Sequence, residues 1–582
     1  MWFLAYFSLH LIIYTLIRAE FLIWNWGFLK SLSGTEIFRA FLNGLRFDFS
    51  ALAVTVGICF LGLIWLSFSR KIQKIWLLLF ILINSIFYLI NIVDIELFNF
   101  TAKRFSASSF YLVKEGEFSN LVEPYFKLAI PSILILVLYI FLASGLIRKF
   151  NSVFNLKKKV LLTILVLLVS VLFARGGLQL KPLTFVDAKI FNNTHANNMI
   201  LNSTFTVLKS ASQEHLQRVH YFDNKEMLSY LNRQNIQPVP VKIDKKPNIV
   251  IVILESFSKE YIDLKDPEAT PYFNSLRKRS LDFTEAYANG RRSIEGMAAI
   301  LSGIPALMEE PFINSQFSAN QVIGLGTLLK ADNYHTSFFH GTANGSMHFD
   351  SFTKSVGVDH YFGFDEYPEK KDHDGTWGIF DEPFLQWTCH KISEFPQPLL
   401  STLFTLSSHQ PYLLPSKHKD EFKDERLPIL KSVRYADYSL EQFMKCSEQQ
   451  PWYQNTLFIF TADHTGPPLN PDDTFESRYQ IPLVFFSPQQ ELMSSLRKVN
   501  SELFAQQIDV LPTLLDLLKI EYKNQNYLSR SLLRQGPKVI ALYADRQFQL
   551  VGDVKDPDKQ LKAIQQYFSE GLYDNRLYYP AK

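Results

Sequence analysis

The sequence predicts a multi-pass α-helical membrane domain of five spans, followed by an α/β domain with a central, mostly parallel sheet. Three observations predict it. Apolar runs of about 20 residues, the length a bilayer core demands, recur before Arg175. The short loops that carry clustered lysine and arginine all fall on one side of the membrane in a single topology. From Pro247 onward, β-branched runs alternate with helix-like segments.

The charge balance narrows the function class. The chain has 582 residues, with 59 basic against 56 acidic side chains and a net charge of +3, so it offers no electrostatic footprint for nucleic acid. Three cysteines, Cys59, Cys389 and Cys446, are too few for a disulfide scaffold and match no zinc spacing. Cys59 falls in an apolar run. Cys389 and Cys446 can pair only in an oxidising compartment and only if the fold brings them together, which the sequence leaves open.

The five expected spans are Met1–Trp24, Ser50–Phe68, Ile75–Ile95, Leu128–Ile147 and Val160–Phe173, the last short in its apolar core. The first lacks a basic leader and a small-residue cleavage site, so it reads as a retained span. Arg70, Lys71 and Lys74 lie between spans two and three. Arg148, Lys149, Lys157, Lys158 and Lys159 lie between spans four and five. The positive-inside rule places both loops in the cytoplasm, so the N-terminus is inside and everything after Arg175 is outside. Arg46 and Asp48, at the mouth of span two, are ionisable groups at membrane depth. They read either as functional or as an interfacial anchor or internal ion pair.

The expected domains are 1–175, the membrane domain; 176–246, an extracytoplasmic linker with helices; and 247–582, the catalytic domain. Within the linker, NNTHANNMILNSTFTVLKS reads as a surface helix entered through Asn-rich turns, and QPVPVKIDKKP as an extended connector.

In the third domain, NIVIVILE suits a buried parallel strand ending in Glu255. HTSFFH, LSTLFTL, TLFIFTADH, IPLVFFSP and KVIALYA read as further strands. Ser293–Leu301, Glu382–Phe395 and Ser432–Ser447 read as helices. Active sites of such sheets gather at the carboxyl ends of strands. There stand Glu255, His340, His409 and the pair Asp463–His464. Each alone is compatible with a satisfied structural group. Together they form an oxygen/nitrogen set suited to manganese, zinc or magnesium. Ser293 opens a helix after the Asn289–Gly290 turn. It reads as a cap or as a nucleophile, since a helix N-terminus favours an alkoxide and a phosphate. Arg291 and Arg292 before it suit phosphate oxygens.

LESFSKEY around Glu255, the GRRS turn, TADH, and QQIDVLPTLLDLL from Gln506 occur in an order that resembles the sulfatase-like, alkaline phosphatase superfamily. With five preceding spans, the chain most resembles the lipoteichoic acid synthase and membrane phosphoglycerol transferase family. The resemblance implies that Glu255, Ser293, Asp463 and His464 hold one divalent metal, usually manganese, with zinc or magnesium as alternatives. It also implies that His340 and His409 contact a substrate phosphate. SIEGM lacks the Pro and Arg of C/S-x-P-x-R, so a formylglycine sulfatase is disfavoured and Ser293 is expected unmodified, where the family typically has Thr. The family also carries a Trp and an Arg after the first His. Here Met347 and Phe349 stand at about those places with His348 between, and His348 is a substitute contact or a loop residue. The implied activity is transfer of phosphoglycerol from phosphatidylglycerol to an extracytoplasmic glycan or lipid hydroxyl through phospho-Ser293, at a bacterial inner or plasma membrane. Alternatives are a phosphoethanolamine transferase, a hydrolase of the same fold, and a lipid-sensing pseudoenzyme.

Overall fold

A computed structural model describes residues 2–101, 103–107, 122–149, 154–191, 193–211, 216–231, 236–243, 245–470, 474–522 and 524–580. The chain divides into two compact units. One is Met1–His215 with Asn314–Gln321, and the other is Leu216–Ile313 with Val322–Lys582. The stretch 176–246 is therefore shared between them.

The first unit is a helical bundle of α1 (Trp2–Trp24), α2 (Gly34–Trp65), α3 (Arg70–Thr101), α4 (Val122–Lys149) and α5 (Leu156–Arg175). Among the described residues, four stretches are long and apolar enough to cross a membrane: Trp2–Trp24, Gly34–Trp65, Arg70–Asn99 and Pro131–Arg148. The fifth expected span forms as α5. Its uncharged run from Val160 to Ala174 extends only about 22 Å against a hydrocarbon core of about 30 Å. Three lysines at one end and Arg175 at the other set that limit. Helix α2 begins earlier than its apolar core. Ser33 Oγ accepts from Glu36 N at 3.3 Å, and Ser33 N donates to Glu36 Oε2 at 2.8 Å, a reciprocal cap that starts the helix at Gly34.

The stretch expected to be a surface helix is instead two helices, α6 (Thr194–Ile200) and α7 (Ser203–Ala211), buried within this unit. Their polar side chains explain the difference, because they satisfy buried charges. Arg18 grips Asp48 through two hydrogen bonds of 2.7 Å and donates to Met199 O and Ile200 O, while Asn202 Nδ2 donates to Asp48 Oδ1 at 2.9 Å. Arg104 pairs with Asp94 at 2.8 Å, and Ser203 Oγ donates to Asp94 Oδ2 at 2.7 Å. Asp48 is thus an internal ion pair, and its partner is Arg18 rather than Arg46.

The second unit is built on a seven-stranded sheet. Its strands in chain order are β1 (Asn248–Leu254), β2 (Leu281–Asp282), β3 (His335–His340), β4 (His360–Phe362), β5 (Leu399–Phe404), β6 (Thr456–Ala462) and β7 (Leu483–Phe486), and their spatial order is β2-β7-β6-β1-β5-β3-β4. The central pairings β6-β1-β5-β3-β4 are parallel, and β7 runs antiparallel to β6 and β2. β1 is wholly buried, as a strand covered on both faces must be; each such aliphatic side chain contributes roughly 1.5–3 kcal/mol. The remaining predicted strand, KVIALYA, stands outside this sheet. Val539–Ala544 pairs antiparallel with Gln547–Gly552. The two-residue turn Asp545–Arg546, with φ of 51° and 61°, folds the chain straight back on itself, and no crossover helix intervenes. Helices α8 (Ser293–Ser302), α9 (Asp381–Ile392) and α10 (Leu430–Glu448) match the expected helical segments, and a Cys389–Cys446 disulfide links α9 to α10.

Candidate active site

The sheet register builds the site. Leu254 pairs with Ala462 on neighbouring parallel strands, so the next residues, Glu255 and Asp463, emerge side by side at the carboxyl end. Both are buried. Glu255 N donates to Thr405 Oγ1 at 2.9 Å, at the end of β5. Ser256, at φ 59°, turns its N–H onto Asp463 Oδ1 at 2.8 Å, and its hydroxyl donates to Glu255 Oε1 at 2.8 Å.

Helix α8 brings Ser293 to this point. A Cβ at Gly296 would meet Asp463 O at 2.5 Å and Asp463 Cα at 2.9 Å, so only glycine lets the first turn of the helix lie against the strand end. Ser293 Oγ then stands 3.3 Å from Glu255 Oε2 and 3.3 Å from His464 Nε2. His464 Nδ1 lies 2.8 Å from Thr465 O and donates to it, which leaves Nε2 as a lone pair facing Ser293 and Asp463 Oδ2, the latter at 3.2 Å.

Glu255, Asp463 and His464 each offer a ligand atom within 4.8 Å of the others. Asp463 Oδ2 is buried and has no hydrogen-bond partner. Burial, and then the Asp463 carboxylate, push the Glu255 carboxyl well above its ordinary range. Two buried carboxylates, one imidazole and an orphaned oxygen lack positive charge, and a divalent cation would supply it. The residues therefore fit the expected metal.

The other predicted residues divide. His409 lines a cavity of about 320 Å³ with Glu255, Arg291, Tyr412, His464 and Arg478. Its ring also packs against Trp377, with centroids 4.1 Å apart. His340 ends β3 and is buried. Its Nδ1 donates to Phe404 O at 3.1 Å, its Nε2 has no hydrogen-bond partner, and burial lowers its pKa to about 4. Arg292 turns away from the cavity. Its Nε donates to Glu295 Oε1 at 2.9 Å, and its Nη2 donates to Glu309 O at 2.7 Å. His348, at φ 59°, is buried; it, Met347 and Phe349 are absent from the cavity wall, and Phe349 packs instead behind His340, 5.7 Å away.

The cavity-wall residues that sequence reading underweights are Arg291, Arg478 and Tyr412, and Trp377 packs against His409. For Arg291 a signal existed. Glu295, three residues after Arg292, marks an i,i+3 ion pair that occupies Arg292 and leaves its neighbour to face the cavity. Arg478, Tyr412 and Trp377 come from loops remote in sequence and carry no local signal.

Comparison with known proteins agrees with this geometry. Residues 247–520 match the family model described as Sulfatase. The lipoteichoic acid synthase-like protein YvgJ of Bacillus subtilis is 26% identical over 315 residues, covering 50% of this chain and 50% of that one. The chain thus matches about half the length of such curated relatives. A solved protein of the alkaline phosphatase superfamily from Vibrio parahaemolyticus aligns with a TM-score of 0.52 at 22% identity, covering 62% of this chain and 98% of that one. The lipoteichoic acid synthase LtaP of Listeria monocytogenes aligns with a TM-score of 0.50 at 16% identity, covering 60% of this chain and 98% of that one. Residues 247–520 accordingly match the Sulfatase family model and share the fold of these solved proteins, on a chain whose first unit holds apolar helices of membrane-spanning length.

Proposed function

We propose that this protein transfers a phosphoglycerol head group from phosphatidylglycerol to a hydroxyl of an extracytoplasmic glycan or lipid, by way of Ser293. The observation that carries the proposal is Ser293 Oγ, 3.3 Å from both Glu255 Oε2 and His464 Nε2 at the start of a helix. Glu255, Ser293, Asp463 and His464 would hold one divalent cation, manganese by the family resemblance. Such an ion, when bound, lowers the effective pKa of a hydroxyl and polarises a phosphoryl oxygen.

The chain's own groups supply the rest. Ser293 Oγ attacks phosphorus and gives up its proton; the bond from phosphorus to the diacylglycerol oxygen breaks, and that proton passes to the leaving oxygen. Arg291 and Arg478, in the cavity wall, neutralise phosphate oxygens. His409, in the cavity wall, takes the acceptor hydroxyl's proton in the second step. The acceptor oxygen then displaces Ser293 and regenerates its hydroxyl. Attachment to membrane helices raises the effective concentration of a lipid donor. The Cys389–Cys446 disulfide supports an extracytoplasmic domain, because such bonds persist in oxidising compartments.

Transfer of phosphoethanolamine by the same chemistry is the second reading. It is favoured by Met347 and Phe349, which stand where the family's head-group Trp and Arg are expected. Full-length protein in detergent, given fluorescent phosphatidylglycerol and phosphatidylethanolamine in parallel with manganese or chelator, separates the two. Metal-dependent diacylglycerol release from phosphatidylglycerol alone supports the first reading. Release from phosphatidylethanolamine alone supports the second, and release from neither refutes both.

A further inference from the structure

The membrane bundle contains a space that the transfer chemistry does not use. Between α1, α2 and α5 lies an open-sided cavity of about 440 Å³. Its walls are apolar apart from Ser170 and include Phe3 and Phe7 of α1, Ala53 and Phe60 of α2, and Val166 and Val169 of α5. Gly57 explains why it exists. A Cβ there would meet Ser170 Oγ at 2.5 Å, so α2 and α5 close on each other at this level and leave the space beside the contact unfilled.

The groove has a length and a polar end. Along α2 its wall runs from Leu52 to Ile64, a rise of about 18 Å. That compares with about 15 Å for one leaflet of hydrocarbon. One end is ringed by Phe7, Phe49 and Phe173, whose ring centroids lie 4.8 to 5.9 Å apart. Arg46 stands about one turn of α2 beyond Phe49 and shares a helix face with Ala53 and Phe60, at seven-residue spacing. Its Nε donates to Gly176 O at 3.3 Å, which fixes the side chain at the end of α5 and leaves its two terminal nitrogens for another acceptor. Asp48, the nearest carboxylate in sequence, is consumed by Arg18.

We propose that this groove is a binding site for one anionic phospholipid, with an acyl chain between α1, α2 and α5 and the phosphate on Arg46. The occupant follows from the chemistry: an apolar slot about one leaflet long, with a guanidinium at its aromatic-ringed end, matches an acyl chain joined to an anion. A neutral detergent or a peptide helix would leave Arg46 unused. The site is independent of the transfer reaction and is retained if the proposed function fails.

Native mass spectrometry of the full-length chain, with phosphatidylglycerol and phosphatidylcholine offered in equal amounts, tests it. The wild-type protein should retain one phosphatidylglycerol, preferred about fivefold for the single surface cation. Ala53→Phe should fill the groove and abolish retention, and Val166→Phe should do the same from α5, so that misfolding of either variant does not decide the outcome. Arg46→Gln should keep one bound lipid and lose the head-group preference. Equal retention by wild-type and groove-filled proteins, or no preference in the wild type, would show only annular lipid and overturn the proposal.

Discussion

Two buried clusters, one in each unit, hold charge in opposite ways. In the membrane bundle, Arg18 neutralises Asp48 and Arg104 neutralises Asp94, and Asn202 and Ser203 satisfy remaining carboxylate oxygens. In the second unit, Glu255 and Asp463, whose Oδ2 is orphaned, emerge together beside one partly buried imidazole. A neutral, saturated network is a structural element, and removing one partner leaves a stranded charge. An unbalanced network stores repulsion that only a ligand relieves. The difference separates two sets of buried ionisable residues that look alike in sequence: the first holds helices together, and the second has the donor set that suits a cation.

That contrast can be broken by substitution. The largest effect is expected at Ser293. Ser293→Ala should lower lipid turnover by at least about 10³-fold while leaving the melting temperature unchanged, since it removes the proposed nucleophile and no packing. Unchanged turnover in purified variant protein would sink the assignment. Next comes the saturated network: Arg18→Ala should cost about 3–5 kcal/mol, read as a loss of thermal stability in detergent, because Asp48 is left buried and unpaired. Removal of the Cys389–Cys446 bridge, which spans 57 residues of sequence, should cost about 2–4 kcal/mol in the catalytic unit and be reproduced by reductant.

Smaller effects of opposite sign are expected at the unbalanced site. Asp463→Asn should stabilise the chelator-treated protein by about 1 kcal/mol while abolishing the gain on adding manganese. Asn can keep the bond from Ser256 N. The pH dependence sharpens the comparison further. The fold raises the Glu255 pKa, so the metal-free protein binds that proton more tightly than the unfolded chain does. Its stabilising contribution is full below the ordinary carboxylate range and is lost as pH rises through that range to the raised folded value. Melting temperatures of chelator-treated wild type should therefore fall relative to Glu255→Gln as pH rises above the ordinary carboxylate range, while the gain from manganese grows.

The sheet and the cluster of Glu255, Asp463 and His464 are legible because burial on both faces leaves continuous aliphatic runs, and an acid or histidine directly after such a run has few uses. The parallel register then places Glu255 beside Asp463 without further information. Gly296 was not legible, since its need is set by a backbone 167 residues away in sequence. The helices at 194–211 were misread as surface because their Asn, Ser and Thr residues look solvated. Their partners are charges on α1, α2 and α3 that no local pattern announces. The hairpin at 539–552 reads as a core strand because its apolar strand resembles one, while Arg546 gives the tight turn no glycine signal.

Calorimetric titration of manganese into chelator-treated, full-length protein tests the central claim most directly. The account predicts one ion per chain, proton release that increases at lower pH, and loss of binding in both Glu255→Gln and Asp463→Asn. Binding that survives both substitutions, or no binding to folded wild-type protein, would contradict it.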